Sequence, residues 1–319
     1  MLGKAKYILN EIRNYSNLIE GHRSAVILDM LWCGLCYKAS PSNYYHFDFR
    51  HTTHSERKSF VTHGISCKLM KKYNSDAAPD ILYNKLSFAA QFKQYYGRVC
   101  FNSKTVSVDD LNPYAGQRVI YKPLRGGQGR GIHVFHLDHL SLPDMVQQIH
   151  KLPDGVVESW VSQHPAMEKF SPSSVNPIRL QTIYSQGNVH CICATLTVGC
   201  NGTEFANASA KSLFALIDVN TGIVTTDGCD YDNHLYIKHP ESNIFFKGFQ
   251  IPNWDAVLRV ASKAAAIIPH IGYVGWDIAV TPDGAVLIEG NNDPGYTAYQ
   301  LPLLTNTHHG TMALFKPFL

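Results

Sequence analysis

Two stretches of this 319-residue chain carry side chains able to do chemistry. The first is Gly275-Trp-Asp-Ile-Ala-Val-Thr-Pro-Asp-Gly-Ala-Val-Leu-Ile-Glu-Gly-Asn-Asn. It reads as a hairpin turning at Pro282-Asp-Gly, a three-residue loop with Gly284 at the position that wants positive φ. If Thr281 pairs with Ala285, Ala279 falls opposite Leu287 and Asp277 opposite Glu289. Side chains alternate with period two, so Asn291 shares the face of Glu289. Two bare carboxylates opposed across a sheet repel. A divalent cation between them removes the repulsion, and oxygen-only donors select Mg²⁺, or Mn²⁺, over Zn²⁺. An exposed acidic pair at a hairpin edge is the plainer reading. Trp276, Ile278, Val280 and Ile288 argue against it, because they make this a buried central hairpin.

The second stretch begins at Lys122 and runs through Arg125-Gly-Gly-Gln-Gly-Arg-Gly. Gly126, Gly127, Gly129 and Gly131, with Gln128 among them, separate one strand from the next. Glycines let backbone N–H groups approach phosphate oxygens with no Cβ in the way. A lysine at the strand end supplies a fixed cation. The pattern is not a Walker loop, since no Gly-Lys-Ser/Thr opens a helix. Nor is it the dinucleotide fingerprint, since a strand follows and not a helix. A flexible hairpin loop remains the alternative, although such a loop rarely needs four glycines with Arg125 and Arg130 beside them.

The elements that must hold these stretches can be read from periodicity. Strands are expected at Arg118–Pro123, Ile132–Leu137, Ile178–Tyr184, Val189–Val198, Leu213–Asp218, Tyr273–Val280 and Ala285–Glu289. Helices are expected at Lys85–Tyr96, Leu140–Lys151 and Asp255–Ile268. The first part of the chain has helical spacing from Lys4 to Ile19, then a helix capped by Ser24 and running to Leu35. Segregated helices and antiparallel hairpins predict an α+β fold and not alternating βαβ units.

Composition excludes several classes. The chain is 45% hydrophobic and 17% charged, which rules out a disordered or collagen-like protein. Its net charge of +3 is too weak, and its Lys/Arg too dispersed, for a nucleic-acid partner. The longest apolar stretch, Ala25 to Tyr37, contains Asp29 and is too short to span a bilayer, so no integral membrane association is expected. With no secretory signal, the eight cysteines read as reduced thiols in a cytoplasmic protein. Cys33-Gly-Leu-Cys36 has redox or zinc spacing but no second pair, and reads as buried structural cysteine.

Taken together, these motifs resemble the ATP-grasp superfamily, and more closely its sugar-transfer-associated members. The glycine-rich hairpin after Lys122, the Val-Val-Glu158 linker and the Asp277/Glu289-x-Asn291 hairpin carry the resemblance. Tyr96-Gly-Arg98, Ser174-Val-Asn-Pro-Ile-Arg179, His239-Pro240 and Glu289-Gly-Asn-Asn-Asp-Pro-Gly support it over most of the chain. The resemblance implies two subdomains gripping ATP: residues 81–157 with the glycine-rich hairpin and 158–319 with the Mg²⁺ hairpin, after a helical lobe at 1–80. It implies that Lys85 and Lys122 hold ATP phosphates. It also implies that Glu158, Ser159, Trp160 and Val161 form the hinge that pairs with adenine. Asp277, Glu289 and Asn291 are then the Mg²⁺ ligands, and Arg179 sits near the γ-phosphate and the substrate carboxylate, with Asn176 beside it. Lys211, in Ala208-Ser-Ala-Lys-Ser, replaces the small residues expected there and bears on acceptor choice. The implied activity is ATP-dependent carboxylate–amine ligation through an acyl phosphate, on a sugar acid or saccharide in polysaccharide biosynthesis. A ligase for a peptide or natural-product precursor and a non-catalytic ATP-binding protein are the alternatives.

Overall fold

The computed structural model describes residues 2–126, 129–138, 141–200, 202, 212–230 and 234–319, with the side chains of residues 2–5 excepted. It divides into two compact units. One comprises residues 1–73 and 295–319, the other residues 74–294. The division differs from three consecutive pieces, because the last 25 or so residues fold with the first 73.

The first unit is helical. Its longer helices are Leu2–Ser16, Arg23–Tyr37 and His63–Tyr73, with short ones at Pro41–His46 and His54–Lys58. The expected Ser24 cap is not used: the second helix begins two residues earlier than that cap implies, and His22 is its N-cap without a side-chain bond. Ser40 does cap, in a box with Asn43. Tyr44, Phe47, Phe49 and Phe60 are buried against Val26, Met30 and Cys33, with Phe47 stacked on Phe60 at 4.8 Å. Cys36, expected to be buried, faces solvent. Its neighbour Cys33 takes the inward position three residues earlier on the helix, and all eight cysteines are free thiols. The C-terminal segment is tied in by Gln300. Its Nε2 donates to Val61 O at 2.7 Å, and its Oε1 accepts from Val61 N at 3.0 Å.

The second unit contains two antiparallel sheets. The smaller has β1 (Cys100–Asn102), β2 (Arg118–Pro123), β3 (His133–His136) and β4 (Gly155–Ser159) in the order β1-β4-β2-β3. Helix Leu142–Lys151 turns Met145, Val146 and Ile149 onto Val119, Val157 and Leu137. The larger contains β5 (Ile178–Ser185), β6 (Asn188–Gly199), β7 (Ser212–Ile217), β8 (Gly228–Cys229), β9 (Leu235–Tyr236), β10 (Tyr273–Thr281) and β11 (Gly284–Asn291). Their order is β11-β10-β5-β6-β7-β8-β9. Helix Trp254–Ile267 lays Trp254, Val257, Val260, Ala261, Ala264 and Ala265 on this sheet. The alanines leave room for close packing, and Trp276 and Ile278 of β10 complete the core. Among the described residues no helix is long and apolar enough to cross a membrane.

Candidate active site

The β10–β11 hairpin turns more tightly than expected. Thr281 pairs with Gly284, leaving only Pro282 and Asp283 in the loop, and Ala279 therefore pairs with Val286 instead of Leu287. A β-bulge then intervenes: Ile278 pairs with Leu287, but Asp277 pairs with Glu289. Ile288 is the extra residue. The carboxylates are thus opposed as expected, although the loop is one residue shorter and a bulge restores the register.

On the other side of Asp277 lies Arg179 of β5, its register partner, so a charged row runs Glu289–Asp277–Arg179 across three strands. Arg179 grips Asp277 with two donors: Nε to Oδ1, and Nη2 to Oδ2 at 2.7 Å. Asn291 Nδ2 donates to Glu289 Oε1 at 3.3 Å. Burial, opposed by Arg179 and reinforced by Glu289 across the hairpin, pushes the Asp277 carboxyl up. Glu289 is held low in spite of burial by Arg179 and by hydrogen bonds from Asp277 and Asn291. The two carboxylates disfavour one another's charge, and Arg179 offsets part of that repulsion.

This donor set fits a hard divalent cation. The ligands are oxygens, two of them carboxylates, with Asp277 buried and Glu289 and Asn291 half-buried. Each carboxylate oxygen that accepts from Arg179 keeps a second lone pair. Among the described residues there is no cluster of three or more His, Cys, Asp or Glu side chains, so the third oxygen would come from the Asn291 amide.

Lys85 opens helix Lys85–Gln91, which Asn84 caps by accepting from the N–H groups of Leu86 and Ser87. Its own N–H donates to Leu124 O at 3.1 Å and its Nζ to Gly126 O at 3.2 Å, so it is tied to the base of the glycine-rich loop. Burial lowers its pKa against the pull of Glu289, and the charge on Lys122 adds to the lowering. In the loop itself, Gly126, Gly129 and Gly131 all have positive φ, at 140°, 70° and 71°. Gly127 and Gln128 lie outside the described residues, as does Lys211.

Glu158 sits mid-sheet on β4, between Cys100 of β1 and Ile120 of β2, and its side chain is 1% exposed. Its Oε1 accepts from the Tyr96 hydroxyl at 2.7 Å. Its Oε2 accepts from Arg98 Nε at 2.6 Å and from Lys122 Nζ at 2.9 Å. Burial alone would raise this carboxyl, but Arg98, Lys122 and Tyr96 outweigh it and hold it at about 2. Further along the hinge segment, Trp160 N donates to Arg118 O at 3.3 Å and Arg118 lies 4.0 Å over the indole ring. Val161 follows, outside the strand and nearly buried, and its N–H has no partner among the described residues. Ser159 Oγ accepts from Val99 N at 3.3 Å.

Asn176 does not present its side chain to a substrate. It is fully buried, Nδ2 donates to Met167 O and Ser171 O, and Oδ1 accepts from Gly199 N. Its observed work is to tie a loop to the end of β6.

Arg98 is the residue that sequence reasoning missed. Its side chain is 2% exposed. Beyond Glu158, Nη1 donates to Tyr96 O at 2.9 Å and to Leu287 O at 2.6 Å, and Nη2 donates to Ile288 O at 3.3 Å. It therefore joins the small sheet to the bulge beside Glu289. The local signal is Gly97, at φ +64°, where a Cβ would come within 2.2 Å of Val286 Cγ1. Only glycine lets the chain turn there and aim Arg98 inward.

The fold is the α+β fold of the ATP-grasp proteins, and the chain belongs to the sugar-transfer associated ATP-grasp family, whose sequence model matches residues 65–309. Among solved structures the chain is similar to N5-carboxyaminoimidazole ribonucleotide synthetase in complex with ADP, at 11% identity and TM-score 0.44. That match covers 68% of this chain and 46% of that one. It is also similar to an L-amino acid ligase from Bacillus licheniformis, at 13% identity and TM-score 0.42, covering 69% of this chain and 43% of that one. A third is the ATP-grasp ligase PsnB with minimal precursor, Mg and ADP, at 15% identity and TM-score 0.42, covering 83% and 68%. The chain thus spans less than half the length of the first two proteins. No curated protein matches the sequence.

Proposed function

We propose that this protein is an ATP-dependent carboxylate–amine ligase that joins a sugar acid or saccharide carboxylate to an amino acid or other amine. The family supports a ligase that uses ATP. The observation that carries the reading is the charge arrangement of residues 74–294. Two lysines share a carboxylate environment with a buried Asp277–Glu289 pair, and Arg179 stands beside that pair.

A carboxylate is a poor acyl donor, because its leaving group would be oxide. In the proposed reaction a substrate carboxylate oxygen bonds to the γ-phosphorus, the bond to the β–γ bridging oxygen breaks, and ADP leaves. The amine nitrogen then bonds to the acyl carbon, phosphate departs and the nitrogen gives up a proton. Lys85 and Lys122 bind the phosphates, and the backbone of Glu158 to Val161 holds adenine. Arg179 orients the substrate carboxylate against the γ-phosphate, and the loop 125–131 excludes water. Asp277, Glu289 and Asn291 would hold Mg²⁺, which supplies neutralisation of phosphate charge.

The test is ADP release by the full chain with Mg²⁺ and ATP, crossed over panels of sugar acids and amino acids and read by mass spectrometry for an amide. ADP formed only when both co-substrates are present supports the reading. Tight Mg-ATP binding without turnover on any pair would favour a non-catalytic nucleotide-binding protein. Glu289→Gln should abolish turnover with an unchanged thermal unfolding temperature; a fully active variant would remove the metal assignment.

A further inference from the structure

Lys122 and Arg98 meet on one oxygen, Glu158 Oε2. This is an unusual place for a phosphate-binding lysine. A lysine paired one-to-one with a buried carboxylate carries no net charge to a polyanion, because the pair is neutral at any distance beyond a few ångströms. Here the carboxylate has two cations. Arg98 is the deeper one, 2% exposed against 12% for Lys122, and it is locked by carbonyls on two elements. The guanidinium is always charged and satisfies Glu158 from the interior side. The cluster of Arg98, Lys122 and Glu158 therefore carries one net positive charge, on its more exposed member. Lys85 lies close enough to feel both Lys122 and Glu158, together with Glu289.

We propose that Arg98 is a positioning and charge-compensating residue: it neutralises Glu158, so that Lys122 is held in place by that carboxylate yet keeps its charge for the nucleotide phosphates. This rests on the nucleotide-binding reading above and adds to it a residue that does not touch the ligand. It also explains why the glutamate is present. Glu158 fixes the lysine's position, and Arg98 removes the electrostatic penalty of doing so.

The proposal separates charge from packing, and so does its test. ADP with Mg²⁺ is titrated calorimetrically into the full chain, and thermal unfolding is measured in parallel. Arg98→Lys keeps the charge but loses the forked bonds to Leu287 O and Ile288 O; it should lower the unfolding temperature and leave affinity close to that of the parent. Arg98→Met leaves Lys122 and Glu158 as a neutral pair and should weaken ADP by at least about tenfold. The double variant Arg98→Met/Glu158→Gln removes both buried charges and returns the net charge to Lys122. It should regain most of the affinity while remaining as unstable as Arg98→Met. Affinity in the double variant no better than in Arg98→Met, or Arg98→Lys binding as weakly as Arg98→Met, would overturn the proposal and leave the nucleotide reading standing. Failure of the parent protein to bind ADP at all would overturn both.

Discussion

The two units each join an arginine, a carboxylate and a tyrosine in nearly the same arrangement, half-buried in one unit and buried in the other, and the comparison separates structure from function. In the helical unit, Asp29 accepts from Arg57 Nη1 and Nη2 at 2.9 and 2.8 Å and from the Tyr44 hydroxyl at 2.7 Å. Arg57 also donates to Phe49 O and lies over the Phe49 ring. In the two-sheet unit, Glu158 accepts from Arg98 and the Tyr96 hydroxyl, and Arg98 lies 3.6 Å over the Tyr96 ring. In the first set the groups in direct contact, Arg57, Asp29 and Tyr44, sum to zero charge, and Arg50 acts on Asp29 only from a distance. The second has one more cation in direct contact, Lys122, and so carries a net positive charge on its more exposed member. A buried ion pair by itself says little about function; an unmatched third charge says much more.

Breaking the second set should have the largest effect. Glu158→Ala leaves Arg98 buried without a counter-charge and should cost about 3–5 kcal/mol in denaturant unfolding of the two-sheet unit. A loss under about 1 kcal/mol would mean that water reaches Arg98 freely.

Acid should act on the same residue. Glu158 sits at about 2 in the folded protein against an ordinary 4.5. A depressed carboxyl stabilises the folded state fully above its unfolded pKa, and that stabilisation is lost as pH falls from 4.5 through the folded value near 2. The loss amounts to about 3 kcal/mol, and Glu158→Gln should remove this part of the pH dependence of unfolding. An identical acid profile in the variant would assign the dependence elsewhere.

Asp29→Ala should cost less, about 1–2 kcal/mol, because Asp29 and Arg57 are 24% and 12% exposed and water can take over part of the solvation. ADP affinity should be unchanged. A marked fall in affinity would erase the distinction between the two sets. The smallest changes should come from Tyr96→Phe and Tyr44→Phe. Each deletes one hydrogen bond to a carboxylate that keeps its arginine, for about 1 kcal/mol or a little more in unfolding.

Much of the carboxylate hairpin was legible because period two fixes facing residues over a short span. The detail was not: a loop shorter by one residue and a bulge at Ile288 compensate, and neither leaves a mark in the side-chain alternation. The strand that carries Lys122 was legible from its alternation and from the glycines that follow it. Arg98 was not, since its partners lie 60 and 189 residues away and no local period links them. The same holds for the C-terminal return, which depends on Gln300 reaching Val61 across 239 positions. Asn176 looked like a ligand because it neighbours Arg179. Burial of both its amide atoms in backbone bonds shows a side chain used for folding.

The bulge at Ile288 has a consequence for how this hairpin can change over time. Strand faces obey parity. Without the bulge Asp277 would pair with Ile288, and Glu289 would point to the side of Trp276, inside the apolar core. An insertion or deletion of two residues at the Pro282-Asp283 tip keeps the parity and leaves the carboxylates facing. A change of one residue keeps it only if the loop itself takes up that residue or a bulge is gained or lost with it, so the face that Glu289 takes depends jointly on the two-residue tip and the bulge at Ile288.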